Sequence, residues 1–174
     1  MILAGDEALL YLQATTTRVW AHQGQTPQVP VHPGREKVQF YGTLNLHTGE
    51  QYLMRTDRMT AATSAQHLQH LLTNVPEVSI VLLWDRAPWH RGAPIRQLLE
   101  AHPRLQIHYL PTAAPDLNPQ EHVWKAARTA VSHNHVDRSL DHLADRFEHH
   151  LRSRTFPSTF LRTYGFTHLC PIFK

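Results

Sequence analysis

The sequence predicts an α/β fold in which a mixed β-sheet is flanked by helices. Three observations predict it: an early pair of strands around a tight turn, two later apolar runs of strand length, and helical periodicity around those runs. Strands that alternate with helices in the second half favour crossover connections between neighbouring strands. With 174 residues, the chain is long enough for one domain that buries roughly 70% of its unfolded surface.

The first half of the chain carries the hairpin. The predicted elements are a strand at Ile2 to Asp6, a short strand candidate at Arg18 to Ala21, a connector rich in glycine and proline at residues 22–34, and two strands at residues 37–45 and 50–56. The last two strands flank the tetrapeptide Leu-His-Thr-Gly, which is typical of a β-hairpin turn.

The second half predicts alternating helices and strands. In order, these are a helix at residues 60–74 with Ala62, Ala65, Leu68 and Leu72 facing inward, a strand at 78–84, a helix at 92–102, a strand at 105–110, and helices at 119 to about 132 and at 137–154. Leu140, Leu143, Phe147 and Leu151 give the last helix an apolar face. We expect residues 1–135 to form the core and residues 136–174 to be a helix and tail that pack on the core or a partner. Cys170, in that tail, is expected to be a small hydrophobe.

The composition excludes several classes of protein. A hydrophobic content of 41% with 18% charged residues excludes a disordered chain, and no apolar run approaches the ~20 residues of a membrane span. One cysteine excludes an internal disulfide, and the histidines at 133, 135, 149 and 150 lack a second ligand pair at zinc-finger spacing. We expect a cytoplasmic protein. A net charge of +3 and 15 histidines permit a polyanionic partner, bound more tightly at low pH and low salt.

Acidic residues stand where regular elements begin or end. Asp85 follows the apolar strand at residues 78–84, Asp6 ends the first strand, and Glu121 is the third residue of a helix that Asn118 caps. Carboxylates from strand ends and a helix start can converge on divalent metal. Three of them around a pair of Mg²⁺ or Mn²⁺ ions would suit attack of water or a 3′-hydroxyl on phosphorus.

Each of these carboxylates also has an ordinary structural explanation. Glu121 could be a capping-box glutamate that also pairs with the lysine four residues on. Asp85 could form a strand-end ion pair with Arg86. Asp6 could lie on solvated surface, and Glu7 could replace it in the site.

Three motifs, in this order, resemble the catalytic domain of DDE-type transposases from the bacterial insertion-sequence branch of the mariner superfamily. An acidic pair followed by W-A-x-x-G-Q-x-P matches Asp6-Glu7 and residues 20–27. The second-acid motif, DNAxxH after a strand, stands here as WDRAPWH at residues 84–90. The third-acid motif, approximately LPxYSPxLNPIExxW, stands here as LPTAAPDLNPQEHVW, and 35 residues separate Asp85 from Glu121.

The resemblance covers the chain from Asp6 to about Ser132 and implies a ribonuclease H-like (RNase H-like) fold with a mixed five-stranded sheet. It implies that Asp6, Asp85 and Glu121 are the catalytic, metal-binding triad, with two Mg²⁺ or Mn²⁺ ions. The implied activity is DNA cleavage and strand transfer at insertion-sequence ends. The implied partners are transposon-end and target DNA and a second copy of the chain, and the implied location is the cytoplasm, on the nucleoid when DNA is bound.

Two departures from the family pattern keep other functions open. Arg86 replaces an asparagine, and Ala113-Ala114 replaces a Tyr-Ser pair. The helix-turn-helix modules of the family do not fit before Met1, so we expect the chain to be a catalytic half: a second reading frame joined to the first by frameshifting, a truncated remnant, or an excised piece. The alternatives are a catalytically silent remnant that acts as a dimerising or regulatory DNA-binding module, and a structure-specific nuclease of the same fold. Candidate DNA contacts are Arg86, His90, Arg91, Lys125 and Arg128.

Overall fold

Five strands form one mixed sheet in the order β3-β2-β1-β4-β5 in the computed structural model, which describes residues 1–31, 33–75, 77–112 and 114–156. The strands are β1 (Ile2–Tyr11), β2 (Lys37–Asn45), β3 (Gln51–Thr56), β4 (Ile80–Trp84) and β5 (Leu105–Tyr109). β1, β2 and β3 pair antiparallel, whereas β4 and β5 continue parallel to β1. The predicted mixed five-stranded sheet is confirmed.

Helices cover both faces of the sheet: α1 (Ala61–Asn74), α2 (Ala93–Ala101), α3 (Pro119–Ala127) and α4 (Leu140–Arg152). Successive residues of a strand point to opposite faces, so Leu3 packs in the apolar cluster with α1 and α2, and Ala4 packs in the cluster with α3 and α4. Among the described helices, none is long and apolar enough to cross a membrane.

A glycine lets α3 lie directly on the sheet. Gly42 of β2 pairs with Asp6 of β1. A methyl group on Gly42 would overlap the ring of Trp124 and come within 2.7 Å of Gln120 Nε2, both on α3. Any other residue would therefore push α3 outward. This close approach brings the beginning of α3 to the middle of β1, where the candidate site lies.

The predicted hairpin is confirmed, with a turn between β2 and β3 in which Gly49 has a positive φ of 78°. The strand predicted at residues 18–21 is wrong, because this stretch is irregular and its Trp20 side chain is fully exposed. β1 continues to Tyr11, so Asp6 lies inside a strand and not at its end. β4 begins only at Ile80.

The helices lie close to their predicted positions, with two differences in detail. On α1, Leu68 and Leu72 are buried as predicted, but Ala62 is exposed, and the other buried positions are Ser64, His67 and Leu71. α3 passes into a π-helical turn at Arg128–Ser132.

The last described helix, α4, belongs to the main core. Leu143, Phe147 and Leu151 are completely buried. The Phe147 ring lies 5.5 Å from Phe40 of β2 and 6.2 Å from Trp124 of α3. Residues 157–174, including Cys170, lie outside the described residues.

Candidate metal-binding active site

Three carboxylates line one cleft at the end of β4. The pairing of Ile2 with Val81 and of Ala4 with Leu83 sets the register of β1 and β4. Two residues beyond the Ala4–Leu83 pair lie Asp6, inside β1, and Asp85, the residue that follows β4. The cleft residues are Asp6, Asp85, Arg86, Ala87, Leu110, Pro111, Thr112, Ala114, Pro115, Asn118 and Glu121. The structure thus brings together the three acids singled out in the sequence.

Strand alternation separates Asp6 from Glu7. Asp6 lies on the face covered by α3 and lines the cleft. Glu7 points to the face covered by α1 and α2, where its carboxylate accepts hydrogen bonds from the indole of Trp89 and from His90. Of the two acidic residues that the sequence left as alternatives, Asp6 is therefore the one that faces Glu121.

Asp6 has the burial and the charged neighbours that are typical of a cation ligand. Its side chain is buried, and Oδ2 has no hydrogen-bond partner in the described structure. Burial raises the pKa of Asp6 to about 8, and repulsion from Glu121, Glu7 and Asp85 acts in the same direction. A divalent cation would relieve both effects, since carboxylate oxygens are the ligands that Mg²⁺ and Mn²⁺ prefer. The residues present therefore fit such an ion.

The beginning of α3 is fastened to β1 by Asn118. Its side-chain Oδ1 accepts the backbone N–H of Gln120 at 3.1 Å, while Nδ2 donates to the carbonyl oxygen of Gly5 at 3.0 Å. The cap bond thus goes to Gln120, and the capping box that would have occupied Glu121 is not formed. Among the described ion pairs, none joins Glu121 to Lys125. The Glu121 carboxylate lines the cleft instead.

The carboxylate of Asp85 is held through one oxygen. Oδ1 accepts the backbone N–H of Ala87 at 3.0 Å and lies 2.8 Å from Nδ1 of His90. Partial burial raises the pKa of Asp85, but the hydrogen bonds from His90 and Ala87 outweigh it and hold the pKa below its usual value. Asp85 is therefore an anion in a fixed orientation.

His90 lies completely buried between two carboxylates. Nε2 is 2.8 Å from Glu7 Oε1, and Nδ1 faces Asp85. Burial lowers the pKa of His90, but hydrogen bonds to Asp85 and Glu7 overcome this and raise it to about 9. A residue that donates from both ring nitrogens and has no exposed surface cannot contact a phosphate, so the prediction of His90 as a DNA contact is corrected.

Glu7, Asp85 and His90 also have ligand atoms within 4.8 Å of one another. This spacing alone resembles a metal site. A doubly protonated imidazole, however, has no lone pair to offer a metal. The carboxylates of Asp6, Asp85 and Glu121, which line the cleft, are the set whose chemistry fits a divalent cation. Trp84 and Trp89 are the residues around His90 that sequence reasoning missed. Glu7, considered there only as an alternative to Asp6, contacts His90 instead, and strand alternation after Asp6 was the signal that separates it from the cleft.

Arg86 lines the cleft but is directed towards β5. Its Nε donates to the carbonyl oxygen of Leu110 at 3.2 Å, and its guanidinium carbon lies 5.6 Å from the centre of the Tyr109 ring. In the described structure no ion pair joins Arg86 to Asp85. Arg86 thus leaves the Asp85 carboxylate available to a cation.

The remaining candidate DNA contacts lie outside the cleft lining. Arg91 is exposed and donates from Nη2 to the backbone oxygen of Arg86. Lys125 is exposed and Arg128 is half-buried, one and two turns after Glu121. Among the described ion pairs, none joins these three side chains to Asp6, Asp85 or Glu121.

Comparison with known proteins identifies the family. The family model of the DDE superfamily endonucleases matches residues 1–144. The chain belongs to this family. It is 25% identical over 150 residues to the insertion element IS630 uncharacterized 39 kDa protein of Shigella sonnei, a match that covers 85% of this chain and 43% of that protein. The chain therefore spans less than half the length of this relative.

Solved structures show the same fold. The Mos1 transposase paired-end complex with left transposon end matches with a TM-score of 0.67 and 20% identity, over 92% of this chain and 50% of that chain. The mariner Mos1 paired end complex with Mg matches with a TM-score of 0.62 and 20% identity, over 88% of this chain and 48% of that chain. This DDE endonuclease domain thus has the RNase H-like fold of a transposase catalytic domain.

Proposed function

We propose that this DDE endonuclease domain is the catalytic domain of a transposase that cleaves DNA and transfers the cleaved strand at insertion-sequence ends, with Mg²⁺ or Mn²⁺. The observation that carries the proposal is the convergence of Asp6, Asp85 and Glu121 on one cleft, with one oxygen of Asp6 buried and unpartnered. Repulsion from Glu121, Glu7 and Asp85 contributes to the raised pKa of Asp6, and a divalent metal would relieve this repulsion.

Each acid of the triad has a distinct support. Asp6 is held by the paired strands β1 and β2, Asp85 by the hydrogen bonds to its Oδ1, and Glu121 by the helix start that Asn118 ties to Gly5. These three would hold two ions. When bound, such ions activate the attacking water or 3′-hydroxyl and stabilise the leaving oxygen. The chain itself supplies the fixed oxygens and a partly enclosed cleft.

The partners of the reaction follow from the same assignment. DNA would enter from the open side of the cleft, with Arg86, Arg91, Lys125 and Arg128 as phosphate contacts. The Mos1 paired-end complex contains the left transposon end, and the basic chain is compatible with a similar ligand. Homodimerisation, a separately encoded helix-turn-helix part and a cytoplasmic, nucleoid-associated location belong to the same proposal.

Metal binding and DNA nicking test this function directly. We expect the chain to bind Mn²⁺ in calorimetric titration and to nick supercoiled plasmid in Mn²⁺. Asp85→Asn and Glu121→Gln should lose nicking by a factor of about 10³ or more, because each removes a ligand of the ions. Glu100→Gln, an exposed acid on α2, is the matched control and should nick like the wild type.

The same experiment separates the alternative functions. A folded chain that binds no Mn²⁺ contradicts the catalytic assignment and favours the silent DNA-binding module. Cleavage of branched junctions without any joining of a 3′ end to a target favours the structure-specific nuclease. The direction of Arg86, away from Asp85 and onto Leu110, is the observation that favours the active enzyme over the silent module.

A further inference from the structure

Behind the cleft lies a buried polar cluster formed by Glu7, His90, Trp84 and Trp89. We propose that Glu7 and His90 are positioning residues for Asp85: Glu7 fixes the His90 ring, and His90 fixes the Asp85 carboxylate in the orientation that binds metal. This inference rests on the proposed function, because it takes Asp85 as a metal ligand.

The His90 ring has no freedom to turn. It is completely buried and stacks on the indole of Trp84, with ring centres 3.5 Å apart and an angle of 24° between the planes. The Trp89 ring meets it edge-on, at 6.1 Å and 87°. Each ring nitrogen faces one carboxylate oxygen at 2.8 Å, Asp85 Oδ1 on one side and Glu7 Oε1 on the other.

Glu7 is anchored through both of its oxygens. Oε2 accepts the Trp89 indole N–H at 2.9 Å, and Oε1 accepts that of Trp84 at 3.4 Å in addition to the His90 contact. Its side chain is only 6% exposed. A buried carboxylate is costly unless it is paired and hydrogen-bonded. Glu7 lies on the opposite face of the sheet from the cleft; besides its repulsion of Asp6, its contact towards the site is the one with His90.

Asp85 needs such support because its own side chain is 46% exposed. Without the His90 contact, the Ala87 N–H would be the remaining hydrogen bond to the carboxylate among the described residues. Both donors hold Oδ1 and leave Oδ2 to the cleft. Outer partners of this kind orient metal ligands, and their loss typically weakens metal affinity or activity about 10–100-fold.

A matched pair of substitutions tests which ring nitrogen matters. The side-chain amide of Asn occupies the place of Nδ1, whereas the longer Gln places its amide near Nε2. His90→Gln loses the donor to Asp85, and we expect its affinity for Mn²⁺, measured by calorimetry on the whole chain, to fall about 10–100-fold. His90→Asn keeps that donor, and its affinity for Mn²⁺ should fall clearly less than that of His90→Gln.

The Mn²⁺ concentration needed for nicking should rank the His90 variants in the same order as their affinity for Mn²⁺. In His90→Gln the Mn²⁺ concentration for half-maximal nicking should rise, and excess Mn²⁺ should restore most of the maximal rate. His149→Gln, an exposed histidine on α4, is the control and should match the wild type. Equal Mn²⁺ affinity in His90→Gln and the wild type, or equal losses in His90→Asn and His90→Gln, overturns the inference.

Two further measurements keep the inference testable if a His90 variant does not fold. Trp89→Phe removes the N–H to Glu7 together with part of the ring that meets His90. It should weaken Mn²⁺ binding about two- to fivefold, and an unchanged affinity counts against the inference. Electron spin echo spectra of bound Mn²⁺ in the wild type should lack coupling to a histidine nitrogen. Such coupling would make His90 a ligand and overturn a positioning role.

Failure of the inference and failure of the proposed function give different results. If the wild type binds no Mn²⁺, or Asp85→Asn binds it as well as the wild type, the function itself is wrong. If Asp85→Asn loses Mn²⁺ while His90→Gln and Trp89→Phe bind it like the wild type, the function stands and the positioning role of His90 and Glu7 is wrong.

Discussion

His67 and His90 are buried to the same degree on the same side of the sheet, yet they differ in charge. His67 of α1 places Nε2 2.8 Å from the hydroxyl oxygen of Thr43 and stacks on Tyr41 at 5.3 Å. Burial, with His70 and His90 nearby, lowers its pKa to about 3. His90 lies between Glu7 and Asp85, and its pKa rises to about 9.

The difference shows that the partners, and not burial, decide the charge of these side chains. Desolvation disfavours the cation in both cases. At His67 only a neutral hydroxyl faces the ring, so the uncharged form prevails. At His90 the hydrogen bonds and the attraction of two carboxylates stabilise the cation by more than its desolvation destabilises it. The cationic His90 therefore lies between the carboxylates of Glu7 and Asp85. The neutral His67 lies where α1 packs on the sheet against Thr43.

The largest effect expected from this comparison is on removal of the buried cation. His90→Leu leaves Glu7 buried without its partner and should lower the free energy of unfolding by about 3–5 kcal/mol. Adding Glu7→Gln to His90→Leu should recover part of this loss. Because the pKa of His90 is raised, its stabilising effect is complete below about pH 6.5 and is lost as the pH rises through about 9.

Urea unfolding of the wild type and His90→Leu at pH 6 and pH 9.5 measures this effect. The difference between the two proteins should shrink at the higher pH. A difference that does not change with pH would mean that His90 is not the cation of this cluster.

A smaller effect with the opposite pH dependence is expected at His67. His67→Leu leaves the Thr43 hydroxyl without its partner and should cost about 1–2 kcal/mol at pH 7. Below about pH 6.5 the unfolded chain protonates His67, whereas the folded chain stays neutral to about pH 3, so acid destabilises the wild type more than the variant. The urea midpoints of the wild type and His67→Leu, measured at pH 7, 5.5 and 4.5, should therefore approach each other as the pH falls. A constant gap would contradict a neutral His67.

The smallest effect is expected where a buried carboxylate faces a histidine that is itself exposed. His142 Nδ1 lies 2.7 Å from Asp137 Oδ1, but the His142 side chain is 68% exposed. Solvent screens the exposed imidazole, and Asp137 keeps its ion pair with Arg146. His142→Asn should therefore change the free energy of unfolding by less than about 0.5 kcal/mol. Thermal unfolding beside the wild type measures it. A loss as large as that of His90→Leu would show that the partner alone, without burial, sets the stabilisation.

Much of the fold followed from local patterns along the chain. The hairpin, the helix positions and the two parallel strands each have a short-range signal, namely turn residues or a hydrophobic period, and they stand within a few residues of the predicted bounds. Residues 18–21 were predicted wrongly because β-favouring side chains there have no neighbouring strand to pair with; Trp20 stays in solvent. A strand needs a partner, and local sequence does not supply one.

The site divides in the same way. The sequence by itself determined which acids belong together, through motif order and the helix start at Asn118. Only the tertiary structure decided that Asp6, and not Glu7, faces Glu121. It also decided that Gly42 lets α3 lie against β1, and that the buried His90 contacts the Asp85 carboxylate. The physical reason is that motifs fix the kind of residue at each position, whereas sheet register and strand alternation fix the direction of each side chain. Contacts between residues more than eighty positions apart depend on that direction.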